Sequence, residues 1–165
     1  MLKSATIGCN ILIIEKYFKL FFKNSLKKYG LNTAEGMVLL ALYGHNEKMK
    51  EHILKDVDEN LVGTTQDQLV DELHCDKSVM TRAMQSLEKR GYVLRKNNTQ
   101  DSRSYIFNLT DKAFIFKQTL IEILKEWNDI ILGDFDDSVL NLLDNMLTKV
   151  VKNATKTVSK SNDNK

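Results

Sequence analysis

Residues 65–111 read TQDQLVDELHCDKSVMTRAMQSLEKRGYVLRKNNTQDSRSYIFNLTD, and within that stretch the hydrophobic period changes from helical to two. Thr65 followed by Gln68 has the capping-box spacing, which predicts a short helix carrying Leu69, Val70 and Leu73. Asp76 then stands as the N-cap of a second helix that ends at Gly91. In that helix Met80, Ala83, Met84 and Leu87 recur at i, i+3, i+4 and i+7, while Lys77, Ser78, Thr81, Arg82, Gln85 and Lys89 fall on the opposite side. Beyond Gly91 two short runs, Tyr92–Lys96 and Arg103–Leu109, alternate as strands around the turn-rich Asn97–Ser102. Arg103, Tyr105, Phe107 and Leu109 share one face of the second run, and Ser104, Ile106 and Asn108 share the other. Short helix, three-residue turn, second helix and hairpin make a winged helix-turn-helix.

The flanks read as helices. With no proline in the chain, glycine, asparagine, aspartate and caps must do the punctuation. A first helix is expected from about Ile7 to Tyr29, ending before Gly30, with Ile11, Ile14, Tyr17, Phe18, Phe21 and Phe22 covering more than one stripe. Thr33 is expected to cap a second helix through Val38, Leu39, Leu40 and Leu42 to about Gly44. Residues 46–63 are polar, with Met49, Ile53, Leu54, Val57 and Leu61 near helical spacing, and read as an insertion holding a short extra helix. Thr110 with Asp111 opens a long helix to about Leu132, containing Phe114, Leu120, Leu124, Trp127 and Ile131. Asp136 or Asp137 opens a last helix through Val139, Leu140, Leu143, Met146, Leu147, Val150 and Val151. Residues 153–165 offer little to bury and read as a disordered tail. The expected fold is mainly α, with a small hairpin wing. Its parts are 1–45, the winged region 46–110 and the C-terminal helices 111–152.

Composition narrows the function. At 165 residues the chain fits one domain, and 42% apolar against 28% charged residues is an ordinary globular balance. No run reaches the roughly 20 apolar residues of a membrane span, since Ile11–Ile14 is followed by Glu15 and Lys16. No signal peptide is read at the N-terminus, and two cysteines make no disulfide framework, so the cytoplasm is the expected compartment. A net charge of +2 says little, but all four arginines (Arg82, Arg90, Arg95 and Arg103) lie close together while the lysines are spread. Arginine suits bidentate contact with phosphate and guanine, so this segment is expected to meet an anionic partner. The polar face of the second helix supplies donors of the kinds that read base edges, and its Ser and Thr would let it sit deep in a major groove. The residues thus point to double-stranded DNA.

Asp76–Arg82, Leu87–Val93, Asp101-Ser102-Arg103 and Asn108–Asp111 together resemble the recognition helix, wing and exit of MarR-family regulators, and the order of elements matches from the first helix to about Val151. The resemblance implies a homodimer built from the first and last helices and a ligand-responsive repressor on a pseudo-palindromic operator. It also implies an inducer that is a small anionic aromatic compound. DNA-contacting positions are then Lys77, Ser78, Thr81, Arg82, Gln85, Lys89 and Arg95, with Arg103 as the wing-tip arginine and Asp101 as its orienting partner. Two departures stand out: the long 46–63 segment, and Ala113, where members commonly carry glycine.

Other chemistry is weighed against plainer readings. Cys9 aligns with the reactive cysteine of the family's peroxide-sensing branch, but Lys23 and Ala34 stand where that branch has two tyrosines. A small buried hydrophobe is the plainer reading of a lone helical cysteine. Cys75, before the second helix of the motif, is read as packing. His45 and His52 amid carboxylates suggest a metal but equally a polar segment, so no metal or cofactor is expected. His74 beside Cys75 has no orienting acid, and no enzymatic activity is expected. The alternatives to a DNA-binding regulator are a winged-helix scaffold for proteins and a redox sensor acting through Cys9.

Overall fold

Asn32 and Glu35 open the first tightly determined helix start. The Asn32 backbone N–H donates to Glu35 Oε2 at 2.7 Å and the Glu35 N–H donates to Asn32 Oδ1 at 3.0 Å. This reciprocal pair makes Asn32 the cap in place of the expected Thr33, because only Asn32 has a carboxylate three positions on. The computed structural model describes residues 2–53, 63–99 and 101–162. Their elements are α1 (Leu2–Lys27), α2 (Thr33–Ile53), β1 (Thr64–Thr65), α3 (Gln66–Leu73), α4 (Lys77–Lys89), β2 (Val93–Asn97), β3 (Tyr105–Leu109), α5 (Asp111–Leu132) and α6 (Asp137–Asn162).

Several boundaries differ from expectation: α1 begins at Leu2 and not at Ile7, and β3 begins at Tyr105 and not at Arg103. α2 runs through Gly44 to Ile53, so the boundary placed at 45 falls inside a helix. A Cβ on Gly44 would meet nothing within 4 Å, so that glycine marks neither a close approach nor a stop. The extra helix read over 46–63 is in part this extension, and residues 54–62 lie outside the described ones. α6 continues to Asn162, past the Lys152 after which a disordered tail is expected. A helix needs an unbroken amide ladder rather than buried side chains to continue, and no Gly or Pro interrupts 153–162.

The chain forms two compact units, 1–124 and 125–165. In the first, Phe22, Leu26, Val38, Leu39, Leu69, Met80, Met84, Leu87, Val93, Phe107 and Leu120 form one buried cluster. α1 reaches it only near its C-terminal end. Ile7, Ile11, Leu12, Ile13, Ile14, Tyr17 and Leu20 remain exposed. α1 and α2 approach so closely that a Cβ on Gly36 would sit 2.5 Å from Leu26 Cδ1. The Tyr43 hydroxyl, buried, donates to the Ala113 carbonyl at 2.5 Å and ties α2 to the start of α5. In the second unit the apolar residues of α6 point outward too: Val139, Leu142, Met146, Leu147, Val150 and Val151 are exposed.

The hairpin carries a strand that periodicity did not show. β1 pairs antiparallel with β3 (Thr64 opposite Phe107, Thr65 opposite Ile106), so the sheet order is β1-β3-β2. At two residues it is too short for any alternation to register. It explains why Ile106 and Phe107 are both buried although they alternate: Phe107 joins the core, and Gly63 lies against Ile106, where a Cβ would come within 3.1 Å. Thr110 closes the base of the hairpin, donating to the Gly91 carbonyl at 2.7 Å and accepting from the Ala113 N–H at 3.3 Å to start α5.

The helix-turn-helix caps agree with the sequence. Thr65 and Gln68 form the full capping box of α3. His74, at φ 44°, makes the turn in the left-handed region without glycine. Asp76 caps α4, its carboxylate accepting from the Ser78 N–H at 2.6 Å. Asp136 caps α6, accepting from the Val139 N–H at 3.0 Å.

Two tests follow from these contacts. Tyr43→Phe removes the α2–α5 hydrogen bond while keeping the ring, and is expected to lower stability by about 1 kcal/mol, read as a shift in urea midpoint. Hydrogen bonding by Ser78, side chain first and then backbone, holds the Asp76 carboxyl below its usual range. Because the folded state lowers this pKa, the stabilisation is present above the unfolded-state value and fades as pH falls through the folded one. The stability gap between wild type and Asp76→Asn should therefore narrow below about pH 4. A gap that is equal at pH 7 and pH 3 in urea titrations would contradict this.

Candidate nucleic-acid interface

α4 packs on α2, α3 and β2 through the four residues its spacing nominated: Met80, Ala83, Met84 and Leu87 are all buried. Its opposite side carries Ser78, Arg82, Gln85 and Lys89, all exposed. Lys77, Thr81 and Gln85, one turn apart, form a row along one flank. That row lines a cleft of about 400 Å³ together with Gln66 and Asp67 of α3 and with Arg95, Arg103, Ser104 and Tyr105 of the hairpin. Helix and wing thus present polar groups to one concavity.

The groups are held in place before any partner arrives. Gln66 Nε2 donates to Thr81 Oγ1 at 2.8 Å, and that hydroxyl donates to the Lys77 carbonyl at 2.8 Å. Lys77 Nζ pairs with Asp67 at 2.9 Å. Hydrogen bonding and attraction from Asp67 raise the Lys77 pKa, so the ammonium stays charged. Both side chains are about 70% exposed, so the pair is solvent-screened and easily exchanged. Arg95 lies over the Tyr105 ring, 3.4 Å from its centroid, which stiffens a long side chain at low cost.

The wing tip is built on Asp101. Its Oδ1 accepts from the Arg103 backbone N–H at 3.0 Å, and its carbonyl accepts from the Ser104 N–H at 3.0 Å. Asp101 therefore orients Arg103 through the backbone. The Asn98 N–H donates to the Ser104 carbonyl at 3.2 Å and closes the tip.

The sequence-derived set does not share one surface. Lys77, Thr81, Gln85, Arg95 and Arg103 come together in the cleft. Arg82 lies on the other flank of α4, in a separate depression with Asn32, Glu35 and Ser86, and its Nε donates to the Ser78 carbonyl at 3.2 Å. Lys89 is exposed in the last turn of α4, and neither it nor Ser78 or Asp101 lines the cleft. Sequence reading missed Gln66, Asp67, Glu88 and Tyr105, which do. Gln66 and Asp67 belong to the helix judged only by its cap. Glu88 sits eleven positions after Lys77, three helical turns on and so on the same flank, which the wheel could have shown.

The remaining candidates are dispersed. Cys9 is exposed on α1, not buried as its plainer reading had it, and Cys75 is half-buried against the core. Lys23 is exposed and Ala34 is half-buried. His45 pairs with Glu72, and its Nδ1 lies 3.2 Å from Thr64 Oγ1, while the His52 side chain lies outside the described residues. Among the described residues no group of three or more His, Cys, Asp or Glu side chains is arranged to hold a metal ion. Likewise, no helix of the described residues is long and apolar enough to cross a membrane.

Comparison with known proteins falls on the same region. A family model described as MarR family matches residues 52–105. The HTH-type transcriptional regulator BilQ of Clostridioides difficile is 29% identical over 132 residues, covering 80% of this chain and 76% of that protein. The crystal structure of a MarR transcriptional regulator from Methanosarcina mazei Go1 superposes with a TM-score of 0.77 at 28% identity, covering 92% of this chain and 98% of that one. A MarR-family regulator from Listeria monocytogenes, solved with a 26mer DNA, superposes at 0.68 with 24% identity over 87% of this chain and 85% of that one. The matched residues coincide with the helix-turn-helix and wing that the geometry singles out, and over them the chain is similar to the MarR family.

Proposed function

We propose that this chain is a sequence-specific DNA-binding transcriptional regulator that works as a homodimer in the cytoplasm and catalyses no reaction. The observation that carries this reading is the cleft: the Lys77–Thr81–Gln85 row and the wing residues Arg95 and Arg103 face the same space. With α4 in a major groove, such a cleft straddles the phosphate backbone and sets the wing towards the adjoining minor groove. The DNA complex of the Listeria relative supports the same use of this fold.

Each residue then has a role. Lys77 exchanges its Asp67 partner for a phosphate. Gln85 reads a base edge, its amide matching the N6/N7 edge of adenine. Ser78, Arg82 and Lys89 contact base edges or phosphates from the outer face of α4, and Arg95, braced by Tyr105, takes a backbone phosphate. Arg103, held by Asp101, enters the minor groove and responds to its width and potential.

Dimerisation is supported by the apolar residues that α1 and α6 each leave exposed, more than a monomer of 19.0 kDa usually carries. A two-fold dimer implies a pseudo-palindromic site with half-sites about one helical turn, or a multiple of it, apart. For a small anionic aromatic inducer, an apolar depression of about 270 Å³ beside the turn into α4 offers a place; Met37, Leu73, Cys75, Val79 and Met80 line it, with Lys19. Occupancy there would bear on the N-terminal end of α4 and so on repression.

Two measurements test the proposal. Sedimentation should show a dimer at micromolar concentration, and a folded monomer there would remove the symmetric-operator reading. In fluorescence anisotropy, Gln85→Ala is expected to cost about 1–3 kcal/mol on the preferred duplex and to relax selectivity at one position per half-site. Arg103→Ala should weaken specific and scrambled duplexes by a similar factor and flatten the salt dependence. Wild-type binding that ignores salt, or variants that bind both duplexes like wild type, would favour the protein-scaffold reading instead.

A further inference from the structure

We infer that Thr81 reads the C5 methyl group of a thymine, acting as an apolar contact although it is a hydroxyl residue; the inference rests on the DNA-binding reading above. A threonine hydroxyl has one proton to give and two lone pairs to accept with. Here the proton goes to the Lys77 carbonyl at 2.8 Å, and one lone pair takes the Gln66 amide at 2.8 Å. Thr81 has no donor left for the N7, O6 or O4 acceptors of the major groove. The methyl is the part of this side chain that takes no share in these hydrogen bonds.

Its position suits such a contact. Thr81 is the middle of the groove-facing row, one turn from Lys77 and one turn from Gln85, and all three line the same cleft. It is the shortest side chain of the row, so the helix backbone lies nearest the base edges there. Gln66 comes from α3 and not from α4, so the hydroxyl is held by a second helix and the methyl's direction is fixed along with it. A threonine methyl against a thymine methyl is a recognised apolar readout. The alternative use of Thr81, its remaining lone pair accepting from an adenine or cytosine amino group, survives in serine and is lost in valine. The methyl behaves the opposite way.

The test uses the full-length protein and a duplex selected by it from a random pool. Each thymine of the half-sites is replaced in turn by deoxyuridine, which keeps pairing and removes only the methyl. Wild type is expected to lose about threefold to fivefold in affinity per half-site at one thymine position, the worth of one buried methyl. Thr81→Ser should bind thymine and uracil versions of that position equally. Thr81→Val, which keeps the methyl and discards the hydroxyl, should retain the discrimination. Circular dichroism of both variants checks that α4 is intact. Indifference of wild type to every replacement, no thymine in the selected half-sites, persistence of the effect in Thr81→Ser or its loss in folded Thr81→Val would each overturn the inference while leaving DNA binding in place. Absence of salt-dependent binding to any duplex would instead remove the DNA reading and this inference with it.

Discussion

The buried face of α4 is the constraint on which the rest depends. Met80, Ala83, Met84 and Leu87 are sealed against α2, α3 and β2. Each large side chain buried there is worth about 1.5–3 kcal/mol relative to exposure, and the four lie along one stripe, so the helix has a single favourable rotation about its axis. That rotation alone decides which polar residues look outward. The caps at Asp76 and Thr65 then fix where along its axis the helix begins, and the αL residue His74 fixes its angle to α3. A site made of long, flexible Lys, Arg and Gln side chains is thereby mounted on a part that cannot turn.

The wing is positioned by the same core. Val93 and Phe107 belong to the buried cluster, and Thr110 anchors the hairpin base to the Gly91 carbonyl. Lys112 adds a second tie, its Nζ donating to the Arg90 carbonyl at 2.7 Å. Among the described residues of the distal part, none joins the buried cluster, and turn hydrogen bonds from Asn98 and Ser104 close it. This division suits a reader of DNA: a base fixed relative to α4 and a tip able to follow the local groove.

Legibility in the sequence followed the strength of the local signal. The inward face of α4 was fully readable because four apolar residues at helical spacing leave one solution. A cap with a reciprocal partner was readable at Thr65 and a one-way aspartate cap at Asp76, and the reciprocal rule applied to Asn32 and Glu35 would have displaced Thr33. β1 was invisible because two residues have no period, and the αL turn was hidden because His74 is not glycine. Gly44 misled because an isolated glycine lowers helix propensity by only about 1 kcal/mol against alanine, less than flanking residues such as Leu42 and Tyr43 regain by burial. The site was half-readable. A helical wheel sorts one helix into faces, but Arg82 and Thr81 part company only when α3 and the hairpin are in place to define a cleft on one flank.

The acids of the cleft bear on what kind of reader this is. Lys77, Arg95 and Arg103 share it with Asp67 and Glu88, so the local excess of positive charge is small, as is the chain's net charge of +2. Non-specific affinity for duplex DNA comes almost wholly from phosphate neutralisation and counterion release. A cleft that carries its own carboxylates weakens that contribution on every sequence alike, because Lys77 must first give up Asp67 and Glu88 repels any phosphate near it. On the proposed reading, hydrogen bonds from Gln85 and contact at Thr81 are not diminished in the same way, since they would act on base edges. A cost that is equal on every sequence lowers specific and non-specific affinity by the same factor, so absolute affinity falls while their ratio, which decides occupancy in a genome of competing sites, stays set by the base contacts. On that reading Asp67 and Glu88 border the recognition surface, since both line the cleft, and the modest charge of the chain is compatible with selective binding.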